Sequence, residues 1–245
     1  MPALAERYRE VTARIDEAAQ AAGRSPSEVT LVVVTKFHPA QLVLDLIDLG
    51  ARDFGENKDQ EAGPKAQQVA LALENSGKAA DHRWHFVGQL QSNKVKSVLK
   101  YADSIHSLDR DSLLQALAKE TAKLREQNAL EQLPAPNPIQ VFIELNLTQD
   151  PARGGIQPAK LEEFATSVLQ VPGVKLAGVM GVAALDGQAE RDFASIAAAS
   201  QLLQTVSAEA KFISAGMSGD FEVALQHGAT HLRIGTAITG QRAYN

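Results

Sequence analysis

The chain of 245 residues contains no cysteine. Disulfides, thiolate nucleophiles and cysteine-ligated metals are therefore excluded, and the cytoplasm is the default compartment. Aromatics are scarce at 5%, with one tryptophan and three tyrosines. No uninterrupted apolar run reaches the roughly 18 residues of a membrane span, so no membrane is expected as partner. The opening "MPALAERYREVTARIDEAAQAAG" carries charges every few residues and lacks the apolar core of a signal peptide. Basic excess is missing too. The net charge is −5, which argues against a nucleic-acid binder. The Gly-rich signature of a P-loop, G-x-x-x-x-G-K-[ST], does not occur.

What is present is alternation. Leu4, Tyr8, Val11, Ile15, Ala18 and Ala22 share one helical face and Gly23 follows them, which predicts a helix over 3–22. Strand-like runs then recur near 30–35, 52–55, 84–87, 103–106, 139–146, 174–181, 211–215 and 231–234, with helical stretches between them. Eight strands alternating with helices in about 250 residues is the arithmetic of a (β/α)8 barrel. An open doubly wound sheet alternates as well, and the count and length favour the barrel. Strands 2 and 4 are the short, polar members of the count. The Pro-rich "EQLPAPNPIQ" reads as a surface loop, because both sides of it are needed to complete eight strands. One domain over 1–245 is expected.

A barrel places its chemistry at the C-terminal ends of its strands. The first strand, in "VTLVVVTKFHP" (29–39), runs into Lys36. An ammonium at the end of a buried run is costly unless paired or deprotonated. It is either a strand end turning into solvent or a nucleophile kept dry. After the seventh strand comes "AGMSGD", with Gly216 and Gly219 around Ser218; after the eighth comes "RIGT", with Arg233, Gly235 and Thr236. Each alone reads as an ordinary turn. Together, at the two strand ends where barrels often hold phosphate, they point to an anion site. A lysine on the same rim suggests a Schiff base to a phosphorylated aldehyde, with burial lowering the lysine pKa. Pyridoxal 5′-phosphate (PLP) is the obvious candidate, and Arg233 is a suitable partner for its ring nitrogen.

The stretches "VTKFHP", "FGENKDQEAGPK", "WHFVGQLQSNKVKSVLKYADSIHSLD", "ELNLTQDPARGGI" and "SAGMSGDFEVALQHGATHLRIGTAITGQR" carry a resemblance that spans nearly the whole chain in order. The chain resembles the pyridoxal phosphate homeostasis protein family. That resemblance implies an α/β fold: a single-domain TIM barrel of the fold-type III PLP kind, like the barrel of alanine racemase without its second domain. It implies that Lys36 is the PLP lysine, that Ser218, Gly235 and Thr236 contact the phosphate, that Arg233 lies near the ring nitrogen and that Asn57 lies beside the cofactor. Two positions depart from the family pattern. Asp59 stands where an apolar residue is more usual, and Arg153 where many members have lysine. Neither touches the cofactor positions.

The function expected on this resemblance is a non-catalytic PLP carrier. It would be a cytoplasmic monomer whose partners are PLP and the PLP-dependent apo-enzymes that receive it. The alternatives are a PLP-dependent racemase or lyase, and a PLP-free barrel enzyme using Lys36 on a phosphorylated sugar. A racemase needs a second base opposite the lysine. Of the tyrosines, Tyr8 falls in a helix, Tyr101 at a helix end and Tyr244 near the C-terminus, and the chain ends soon after strand 8. Other constellations read as structural. His82 and His85 point to opposite faces of a strand, which disfavours a metal. His227 and His231 bracket a turn and are expected at the surface. Lys94, Lys96 and Lys100 read as a solvated helix face.

Overall fold

The computed structural model describes residues 3–78, 81–148, 150, 153–184 and 188–240. The strands are β1 (Thr30–Val34), β2 (Asp53–Glu56), β3 (Arg83–Phe86), β4 (Ser104–Leu108), β5 (Ile139–Glu144), β6 (Val174–Met180), β7 (Phe212–Ser214) and β8 (His231–Ile234). They pair in chain order, all parallel, and β8 closes on β1 with Thr30 opposite His231 and Val33 opposite Ile234. That last pairing makes the sheet a barrel and rules out the open doubly wound alternative. A helix α1 (Leu4–Ala21) precedes β1; α2 (Ala40–Asp48), α3 (Asp59–Asn75), α4 (Val95–Val98), α5 (Asp111–Leu130), α6 (Leu161–Leu169), α7 (Ala189–Val206) and α8 (Phe221–Gln226) join successive strands; α9 (Thr236–Thr239) follows β8. None of the described helices is long and apolar enough to cross a membrane.

The helix expected to carry Lys94, Lys96 and Lys100 is shorter than its pattern. A 3-10 turn (Ser92–Lys94) leads into the four residues of α4, where only Val95 and Val98 are fully buried. The following residues continue as turns, with Ala102 N–H donating to Val98 O at 2.9 Å. Lys96 and Lys100 are exposed, whereas Lys94 is half-buried with its Nζ 4.0 Å from Asp59. Because α9 is short, α1 supplies much of the covering there. It packs against α8 and α9, and its Arg7 Nε donates to Ile238 O at 2.7 Å.

The strands face two ways, and the two faces differ sharply. Outward residues such as Val33, Phe54, Phe86, Ile105, Ile143, Val179 and Leu232 join Val43, Leu46, Val69, Leu117, Val168 and Phe193 of the helices in one large apolar core. Each such side chain contributes about 1.5–3 kcal/mol by leaving water. Inside the barrel, where branched aliphatics usually fill the layers, the residues are largely polar. Phe142, Ala177 and Met180 form a small apolar cluster with Phe212 against it. His106 stacks on Phe142 with ring centroids 4.3 Å apart, and His231 meets the same ring edge-on at 5.1 Å.

His231 thus corrects an expectation. It is not a surface residue beside a turn but the first residue of β8, buried in the barrel. Strand alternation turns His231 and Arg233 inward together, and burial pushes the His231 pKa down to about 3. His227 does lie at the surface region expected of it, where it pairs with Glu190 at 2.8 Å. His82 and His85 fall on opposite sides of the barrel wall. The first packs on Phe54 and Trp84, and the second bonds Asp53 inside.

Candidate functional site at the C-terminal rim

Lys36 rides on the turn after β1, two residues past the end of the strand. It is half-buried, so the protein itself keeps it only partly dry, less than the sequence suggested. Its ammonium makes no hydrogen bond or ion pair with any described residue. The backbone around it is another matter. Lys65 of α3 donates to Thr35 O at 2.9 Å, and the Glu61 carboxylate accepts the Phe37 N–H. Lys36 is therefore held from both sides by one turn of α3. Phe37 adopts φ 67°, a left-handed conformation unusual for a bulky residue, and is 45% exposed. The clamp offsets that strain.

Behind the turn lies a buried carboxylate. Glu56 Oε1 accepts from Thr35 Oγ1 at 2.7 Å and from Lys65 Nζ at 2.6 Å, while Oε2 is buried with no partner. Burial pushes the Glu56 carboxyl up, and Lys65 pulls it partly back. One residue on, Asn57 turns toward the rim with a buried Oδ1 that also has no partner. Gly88, after β3, presses against it: a Cβ there would fall 2.3 Å from Asn57 O.

Arg233 is 6% exposed in the inner face of β8. Its Nη1 donates to Ser214 Oγ at 2.6 Å and its Nη2 to Gly181 O at 3.0 Å. Both partners are neutral, and burial lowers its pKa to about 10, with Glu144 and Asp220 acting in the opposite sense. Glu144 ends β5 and accepts from Gln89 Nε2 at 2.6 Å. Burial first, and Asp109 second, raise its carboxyl to about 7.

The loops after β7 and β8 leave donors free. Met217 N–H is taken by Asp220 Oδ1 at 2.6 Å. The N–H groups of Ser218, Gly219, Gly235 and Thr236 have no acceptor among the described residues, and neither has the hydroxyl of Ser218 or Thr236. A Cβ at Gly219 would meet nothing within 4 Å. Gly216, by contrast, takes φ 91°, and a Cβ there would fall 2.8 Å from Ala224 Cβ.

All six residues singled out in the sequence, Lys36, Asn57, Ser218, Arg233, Gly235 and Thr236, lie on or just past the C-terminal ends of β1, β2, β7 and β8. In the closed order these are four consecutive strands, so the six share one arc of the rim. Sequence reasoning missed Glu144, Ser214 and the Glu56–Lys65 pair. Glu144 was findable as the last residue of a strand, and Ser214 as the residue on the same face two before Gly216. The Lys65 contact had no local signal. Of the tyrosines, Tyr8 lies in α1 and Tyr101 past α4, its hydroxyl 3.5 Å from Asp59 Oδ1; Tyr244 lies outside the described residues. Asp59 opens α3, where a negative charge suits the helix dipole. Arg153 is exposed.

The model of the alanine racemase N-terminal domain matches residues 8–243. A protein of Pseudomonas aeruginosa named pyridoxal phosphate homeostasis protein is 37% identical over 246 residues, covering 100% of this chain and 98% of its own length. Its namesake in Escherichia coli K12 is 36% identical over 245 residues, with coverage of 99% and 98%. Among solved structures, PipY of Synechococcus elongatus with PLP bound has a TM-score of 0.73 at 29% identity, over 92% of this chain and 100% of that one. Likeness of this extent, end to end and on one barrel, means that the chain belongs to the pyridoxal phosphate homeostasis protein family.

Proposed function

We propose that this protein binds pyridoxal 5′-phosphate through Lys36, stores it, and releases it to apo-enzymes without turning over a substrate of its own. The observation that carries the reading is the arc of the rim. An unpaired lysine amine, a buried guanidinium and a set of unclaimed backbone N–H groups stand on four neighbouring strands. When bound, the cofactor supplies an aldehyde for the amine and a pyridine ring able to take up electrons. Lys36 would be the residue that presents its amine to the aldehyde. Ser218, Gly235 and Thr236, with Gly219, offer N–H and hydroxyl donors to the phosphate. Asn57, with its unsatisfied Oδ1, would stand beside the ring. Arg233 would be the residue that donates to the ring nitrogen, and a guanidinium there would keep that nitrogen from carrying a proton. The electron sink is thereby weakened, which favours holding over turnover. The protein acts as a monomer in the cytoplasm, and the recipients are PLP-dependent apo-enzymes.

Glu144 supports a second reading, a PLP-dependent racemase or lyase. It is a carboxyl on the rim whose pKa of about 7 suits proton transfer near neutrality. One measurement tests the Lys36 link that both readings share, and a second separates them. Borohydride reduction after adding PLP, followed by peptide mapping, should mark Lys36; a reducible link that survives in Lys36→Ala overturns the assignment. Deuterium exchange at Cα of amino acids should then be slow in the loaded protein. Turnover at an ordinary enzymatic rate, about 1 per second or faster, restores the racemase.

A further inference from the structure

Arg233 is one end of a hydrogen-bonded chain that crosses the barrel. From its Nη1 the chain passes to Ser214 Oγ (2.6 Å) and on to His106 Nδ1 (2.7 Å). His106 Nε2 lies 3.0 Å from His85 Nδ1, and Ser104 Oγ bridges the two rings at 3.1 and 2.7 Å. His85 Nε2 then meets Asp53 Oδ1 at 2.8 Å. Arg83 closes the chain with both arms on the Asp53 carboxylate, at 2.8 and 2.9 Å, and its side chain is 60% exposed at the opposite mouth.

The carboxylate end sets the direction of the links, from His85 to His106 and so to Ser214. A guanidinium can only donate and a carboxylate can only accept. Ser214, accepting from Arg233, donates its own proton to His106 Nδ1. His106 then donates from Nε2 to Ser104 and His85 Nδ1, and His85 donates from Nε2 to Asp53. Each ring has one tautomer that satisfies all its neighbours. His106 is fully buried against Phe142, and its pKa is pushed well below that of an ordinary imidazole, as an accepting Nδ1 requires. Filling this space with aliphatic side chains would avoid burying so many polar groups.

We propose that Ser214 and His106 are positioning residues for Arg233, holding its guanidinium in one orientation toward the rim and tying it to the Asp53–Arg83 pair at the far mouth. The consequence for the cofactor rests on the reading that Arg233 faces the ring nitrogen of PLP. Loosened, the guanidinium no longer holds that nitrogen in one state, and PLP is retained less well.

The test uses Ser214→Ala, the conservative Ser214→Thr, and His106→Phe, which keeps the stack on Phe142 but removes both ring nitrogens. In the free protein, long-range 1H–15N spectra of the histidine rings should show a single Nε2–H tautomer for His106 in the wild type and in Ser214→Thr, and a mixture in Ser214→Ala. An Nδ1–H tautomer in the wild type overturns the chain whether or not PLP binds. In the loaded protein, with the link to Lys36 confirmed by borohydride, Ser214→Ala and His106→Phe should move the 15N resonance of the ring nitrogen. Both should release PLP at least about tenfold faster, as expected for the loss of a charge-assisted hydrogen bond. Ser214→Thr should restore both readings. An unchanged ring-nitrogen resonance and release rate in the alanine variant overturn the positioning role. If His106→Phe does not fold, the Ser214 pair decides alone. If the wild type takes up no PLP, the proposed function falls and the tautomers still judge the chain.

Discussion

Lys65 Nζ lies 2.6 Å from Glu56 Oε1, and the two side chains are only 5% and 1% exposed. Two buried charges are tolerated here because Lys65 spends its protons on Glu56, Glu61 and Thr35 O. Removing one partner strands the other. Lys65→Met should destabilise the fold by about 3–5 kcal/mol, read from urea unfolding. The double variant Lys65→Met/Glu56→Gln should recover a good part of that loss. It should not recover the rate of borohydride trapping at Lys36, because Thr35 O still lacks its donor. A double variant that traps PLP at the wild-type rate would show that the clamp does not position the lysine.

The histidines inside the barrel make the fold sensitive to acid. The His231 pKa falls to about 3 on folding, from an unfolded value of about 6.5. A depressed pKa gives stability that is complete above the unfolded value and is lost as pH falls toward the folded one. Between these limits the loss is about 1.4 kcal/mol per pH unit for the ring. His106 shifts in the same direction and adds to it. His231→Phe, set against Phe142 and Phe212, should make the decline in unfolding free energy between pH 6 and about pH 4 shallower. An identical slope in wild type and variant would mean that the ring is not held neutral.

Glu144 acts with the opposite sign. Its pKa rises to about 7 on folding, so its contribution is complete below the unfolded value of a glutamate and is lost as pH rises through about 7. Glu144→Gln should therefore gain thermal stability relative to the wild type above pH 7, with the difference closing below about pH 5. A gap that does not change with pH would place the carboxyl in water.

The barrel was readable because its outward strand faces are apolar and its turns recur. The rim residues were readable because they follow those strands directly. The interior was not. In β2 and β4 the inward positions carry Asp53, Ser104 and His106, so these strands look short and polar by pattern. In β8 the inward pair is His231 and Arg233, and the histidine passes for a turn residue. Nothing local pairs His106 with Ser214, which lie 108 positions apart. Periodicity reports which residues share a face. It does not report what that face meets when the sheet closes.

The proposed phosphate donors can be tested through two glycines, of which only Gly216 takes a left-handed φ. Gly216 takes φ 91°, and a Cβ there would come 2.8 Å from Ala224 Cβ. Gly216→Ala should therefore cost more than about 1 kcal/mol of stability in the free protein. Gly219 has no left-handed φ, and its Cβ would enter open space beside the free N–H groups of the loop. Gly219→Ala should leave unfolding of the free protein within about 0.5 kcal/mol of wild type. The proposed binding mode puts the phosphate against Ser218 and Gly219 in that same space, so the substitution should weaken PLP. Pyridoxal, which has the aldehyde and ring but no phosphate, should bind the wild type far more weakly, since each charge-assisted hydrogen bond contributes about 1.5–3 kcal/mol. Gly219→Ala should leave that weak binding as it is. Titrations of both aldehydes against both chains, followed by visible absorbance, separate the contributions. Equal affinity of the wild type for PLP and pyridoxal would remove the phosphate from this loop.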